Sequence, residues 1–213
     1  MIGLIKKDLI VSIKNLKPLY FLVMLCAIIP LSQNSIAFVF PIVSMMISLF
    51  FTMQTTTTLH YDLQAKWDKY AVALPVKREI IVGSKYLLTF ILIGFSFVFT
   101  ALIYIVFWFL NKQIDFKEIT ISLLFSISLS LLYISIMIPA TYKYGLEGSK
   151  YILISFFLLP SIIPIILRFF NVELTTLDYQ GLYDIMKLLP LFVLFVTYLS
   201  FLISTEIYRN KEF

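Results

Sequence analysis

Long runs without a charged residue alternate with short charged stretches along the whole chain. Six such runs stand out, at 18–35, 36–59, 86–111, 119–142, 151–167 and 188–205, and none holds an Asp, Glu, Lys or Arg. A helix rising about 1.5 Å per residue needs roughly 17–20 residues to cross a hydrocarbon core of about 30 Å. Each run approaches or exceeds that length. The pattern therefore predicts an all-α, polytopic membrane protein with six transmembrane helices in a single domain, 1–213. The turn between the first two runs falls in "PLSQNS", 30–35.

Two further elements follow from periodicity. Ile2, Ile5, Leu9, Ile13 and Leu16 recur at helical spacing, with Lys7 and Lys14 off that stripe, which predicts a helix over 1–17 lying in the membrane interface. A cleaved signal peptide with "SIA" (35–37) as its site is the competing reading, against which the polar lead is long and patterned. The segment 62–85 is polar and aromatic. Plotted as one helix, Leu63, Trp67, Tyr70, Ala71 and Leu74 share a face, and Gln64, Lys66, Asp68 and Lys69 lie mostly elsewhere. Asp62 is placed to cap its first turn, and Pro75 disfavours helix at Leu74. A second helix is expected from Pro75, with Glu79 in its first turn. Such an amphipathic helix can rest on lipid headgroups or fill the groove of a soluble partner. Periodicity leaves both open.

Composition agrees with the spans. The chain is 61% apolar and 14% charged, where soluble domains hold about half and about a quarter. Thirteen of its seventeen lysines and arginines fall on one side of the six-span topology, so the positive-inside rule places both termini in the cytoplasm. The net charge of +5 thus reports orientation, and no nucleic-acid partner is expected.

The chemistry is sparse. Cys26 and His60 stand far apart without Cys or His companions, which excludes a disulfide framework and a metal site built on them. Charge-free spans lack the usual groups of proton-coupled transport. No H-E-x-x-H or G-x-S-x-G occurs, and "GLEGSK" (145–150) has its glycines too close for a phosphate loop. The chain is therefore read as no enzyme and as binding no cofactor itself. "QTTTT" (54–58) suits helix packing or substrate contact, with Gln54 and Thr55 foremost. Ser122, Ser126 and Ser130 form a small-residue ridge that allows close helix approach, or lines a cargo path. Pro139, Pro160, Pro164 and Pro190 predict kinks or helix ends.

Residues 62–86 resemble the signature of bacterial ABC-2 type permeases, matched by Asp62, Tyr70, Leu74, Pro75, Val76, Arg78, Ile81, Val82, Ser84, Lys85 and Tyr86. A second similarity is carried by Pro139, Lys143, Gly145, Glu147 and Lys150, and a third by the opening "LIKKDL" at 4–9. The resemblance implies a permease driven by a separate ABC ATPase subunit, which binds ATP and Mg. It makes 62–85 a cytoplasmic coupling segment, in which Asp62, Leu63, Trp67, Tyr70, Leu74, Pro75 and Arg78, with Gly145 and Glu147, meet the ATPase. It also implies a second permease copy, identical or related, in a bacterial cell membrane. Short six-span members include exporters of phenol-soluble modulins, which are amphipathic peptides, so hydrophobic or amphipathic cargo is expected. A non-transporting immunity or sensor protein is the alternative.

Overall fold

The computed structural model describes residues 2–15, 36–73, 75–109, 116–169 and 179–211. All regular structure among them is helical: α1 (Ile2–Lys14), α2 (Ile36–Gln64), α3 (Trp67–Ala73), α4 (Arg78–Phe109), α5 (Phe116–Phe169) and α6 (Tyr179–Arg209). Four of these are long and apolar enough to cross a membrane, over Phe40–Gln64, Arg78–Ile105, Ile119–Phe156 and Lys187–Arg209. The expected span at 18–35 lies outside the described residues, as do residues 16 and 17 of the expected first helix and Leu74. The expected span at 151–167 falls within the second arm of α5.

α5 corrects one expectation. "KYGLEGSK" forms no loop, because helix continues on both sides of a single non-helical residue, Gly145. Its φ of 70° and ψ of −157° belong to a region open essentially to glycine alone, so the break is backbone conformation written into one residue. Pro139, Pro160 and Pro164 in α5 and Pro190 in α6 end no helix: helix runs through each of them.

The segment after α2 differs in a consequential way. α2 continues through Gln64, so Asp62 stands in its last turn and caps nothing. The chain then turns at Ala65 and Lys66, where Ala65 N donates to Tyr61 O at 2.9 Å and Lys66 takes a φ of 50°. A left-handed residue cannot continue a helix. Leu63 and Trp67 therefore belong to different helices, and the single apolar face drawn through 63–74 does not exist. α3 stops at Ala73, as Pro75 demands, and α4 starts at Arg78, three residues later than the expected Pro75, with Glu79 in its first turn.

α5 is the central element, packing most extensively on α2 and α6, while α4 leans on α2 and α6 from the other side. The main core joins Leu49, Leu59, Ala71, Ile81, Tyr133, Met137, Tyr142 and Tyr208. Within lipid, apolar side chains gain little by leaving one apolar medium for another, so small residues and hydroxyl contacts select the partners. Ser48 Oγ meets Ser130 Oγ at 2.7 Å and donates to Ser126 O at 3.0 Å, tying α2 to α5. Tyr86 Oη lies 2.7 Å from Ser200 Oγ and 2.9 Å from Ser204 Oγ, tying α4 to α6. Large apolar residues such as Phe90, Phe97 and Leu102 of α4 and Phe192, Phe195 and Leu199 of α6 are left exposed outward. That is the surface of a membrane protein.

Candidate functional site

The end of α2, the start of α4 and the inner side of α1 meet in a cluster of charges. Lys85 Nζ donates to Asp8 Oδ2 at 2.7 Å and to Asp62 Oδ2 at 2.6 Å. Lys7 Nζ lies 2.5 Å from Asp62 Oδ1 and 3.3 Å from Asp8 Oδ1, the latter an ion contact without hydrogen-bond geometry. The side chain of Lys85 is 4% exposed and that of Asp8 1%. Two lysines and two aspartates cancel, which is the condition for keeping charge in a water-poor site. A small cavity lined by Lys7, Asp8, Asp62, Trp67, Lys85 and Tyr142, among others, sits beside them.

This cluster sets the orientation of α1 and splits the apolar stripe drawn through it. Asp8 and Ser12 are buried against the bundle, Leu4 and Leu9 pack on its cores, and Ile2 and Ile13 of the expected lipid stripe are exposed together with Ile10. A helical wheel weighs apolar residues alone; here the ion pairs to Lys85 and Asp62 decide which side turns inward. The signal was present, since Asp8 is the one acid in α1 and Lys85 the last charge before a span.

α3 is held across the same end. Trp67 is half-buried against the main core, and Lys7 Nζ lies 4.5 Å from its ring centroid, a cation–π contact. Asp68 accepts from Tyr208 Oη and from Lys211 Nζ, each at 3.3 Å, which ties α3 to the end of α6. Ala71 is fully buried. What remains outward is Tyr70, 67% exposed, with Lys66 and Lys69 exposed beside it.

The other expected coupling residues are placed as follows. Leu63 is half-buried on the small cavity, Pro75 is exposed in the bend before α4, and Arg78 Nη1 donates to the backbone O of Arg209. That bond satisfies a carbonyl left open at the end of α6. Glu147 is exposed just past the Gly145 break, and His60 Nε2 lies 3.0 Å from Ser149 Oγ, so the break sits against the last turns of α2. Lys7, Asp8, Asp68, Lys85 and Tyr208 were not singled out for their contacts by sequence reasoning.

The residues read as a cargo path are covered. Ser122, Ser126 and Ser130 are buried along α5, and Gln54 and Thr55 are buried in α2, where Thr89 Oγ1 donates to Thr55 Oγ1 at 3.2 Å. Gln54 Oε1 is buried without a hydrogen-bond partner among the described residues.

A bundle of long apolar helices whose ion pairs gather at one end defines a multi-pass membrane protein. The chain belongs to the ABC-2 family of transporter proteins, whose family model matches residues 3–209. No curated protein and no solved structure matches it significantly.

Proposed function

We propose that this chain is the permease subunit of an ATP-driven exporter and that α3 is the element on which a separate ATPase subunit acts. The observation that carries this reading is the way α3 is held: Trp67 under Lys7, Asp68 on Tyr208 and Lys211, Ala71 fully buried, and Tyr70 facing out. A seven-residue helix anchored to α1 and α6 and touching α2 transmits displacement to the bundle. A loosely tethered one would absorb it. ATP and Mg belong to the partner, two permease copies act together, and the cargo is hydrophobic or amphipathic, with amphipathic peptides fitting the resemblance best. A path along Gln54, Thr55, Ser122, Ser126 and Ser130, all buried here, requires α2 to move away from the helices it packs on.

In this reading the two arms of α5 cross separately about Gly145, giving six crossings with 18–35, and the α1 end faces the cytoplasm of a bacterial cell. With Cys26→Ser as background, Gln64→Cys and Glu147→Cys should resist a membrane-impermeant thiol reagent on intact cells. Gln113→Cys and Thr176→Cys should react. Glu147 serves better than Gly145, where any side chain strains the backbone. Labelling at 64 without labelling at 113 reverses the orientation. The purified chain alone should neither bind nor hydrolyse ATP, and turnover should appear on adding the ATPase. Hydrolysis by the chain free of any second protein would refute the division of labour.

A further inference from the structure

α1 is amphipathic twice over, and only its inner face is accounted for by the bundle. Its outer face carries Ile2, Lys6, Ile10, Ile13 and Lys14, with Ile13 64% exposed. The one acid of the helix, Asp8, is turned inward onto Lys85, so the outer face combines apolar side chains with positive charge alone. Between α1 and the turn from α2 into α3 runs a groove of about 440 Å³, lined chiefly by apolar surface of Val11, Tyr61, Ala65 and Trp67, with Lys14 and Asn15 at its rim. Asp62 also borders this groove, but its charge is met by Lys7 and Lys85.

We propose that this groove seats an anionic phospholipid of the surrounding bilayer, its acyl chain along Val11, Ala65 and Trp67 and its headgroup at Lys14. The charge complementarity names the ligand: exposed isoleucines beside lysines suit the boundary between acyl chains and negative headgroups, and a soluble acidic partner gives the isoleucines no apolar medium. Position names the source. α1 is ion-paired to the last turn of α2 and to α4 near its start, both membrane-crossing helices, so its outer face lies where the bilayer ends. Lipid bound here bears on Lys7 and Trp67, which border both the groove and the charge cluster. The inference rests on the membrane location of the family and is independent of the ATPase reading.

Trp67 is a built-in reporter once the second tryptophan is removed by Trp108→Phe. The full chain is reconstituted in phosphatidylcholine–phosphatidylglycerol vesicles in which one lipid or the other is brominated. Brominated phosphatidylglycerol should quench Trp67 more strongly than brominated phosphatidylcholine at equal fraction. Each lysine at an anionic surface favours it by about fivefold, so Lys6→Gln with Lys14→Gln should abolish most of the excess. Inorganic phosphate should leave it intact. Equal quenching by the two lipids overturns the proposal, as does an excess that survives the lysine changes or is displaced by phosphate. Should Trp108→Phe fail to fold, thermal stabilisation of the parent chain in detergent by phosphatidylglycerol, lost in the double lysine variant, decides in the same way.

Discussion

Lys85→Met is expected to destabilise this protein more than any other single change described here. Among the described residues, Lys85 alone of the lysines hydrogen-bonds to both Asp8 and Asp62, and its side chain is 4% exposed. Removing it leaves Lys7 to face two carboxylates, one of them buried beyond the reach of water. Breaking a buried pair while its partner stays charged costs about 3–5 kcal/mol, far more than the pair contributes when intact. About 4 kcal/mol shifts the folded fraction roughly a thousandfold. Thermal unfolding in detergent, followed by circular dichroism, should show a clearly lowered midpoint and a poor yield. The charge argument also fixes what a second change does. In Asp8→Asn with Lys85→Met the remaining charges are Lys7 and Asp62, 2.5 Å apart and balanced, so much of the loss should return. A single variant as stable as the parent, or a double variant worse than the single one, would show that charge balance does not hold α1 in place.

That cluster also shows where the sequence stops speaking. Helix ends with a local cause were legible: Pro75 limits α3 to Ala73, Glu79 enters the first turn of α4, and the charge-free runs locate α2, α4, α5 and α6. The four-residue spacing of Ser122, Ser126 and Ser130 marked a face open to close helix approach, and α2 comes against it at Ser126 and Ser130, a partner the spacing did not name. Features fixed by one backbone dihedral or by a distant partner were not legible. Nothing in "LQAKWD" marks Lys66 as left-handed, yet that residue divides Leu63 from Trp67 and turns the tryptophan inward. Gly145 looked like part of a polar loop because helix could be expected to end there, and it interrupts α5 for one residue only. Asp8 lies 77 positions from Lys85, and a wheel drawn on α1 alone has no means of ranking an ion pair above five apolar residues.

The division of α3 into held and free side chains changes which substitution should uncouple the transporter. On the proposed function, Tyr70→Ala should weaken association with the ATPase by about 2 kcal/mol, the usual scale for an exposed aromatic anchor, or roughly thirtyfold in affinity. Cargo-stimulated ATP hydrolysis should fall with it. The stability of the isolated chain should hardly change, because Tyr70 is 67% exposed and its neighbour Ala71 carries the packing. Trp67→Ala should behave in the opposite manner: it removes the ring beneath Lys7 and a contact with the main core, so it lowers thermal stability and disturbs α3 from within. Lys69→Ala, at the rim, should chiefly slow association. Two measurements separate these outcomes, unfolding of the purified chain and titration of its ATPase in detergent, where no bilayer interface remains for a tyrosine to rest on. If Tyr70→Ala binds the ATPase as tightly as the parent and hydrolysis still responds to cargo, α3 is not where the two subunits meet, and the exposed tyrosine serves the lipid surface instead.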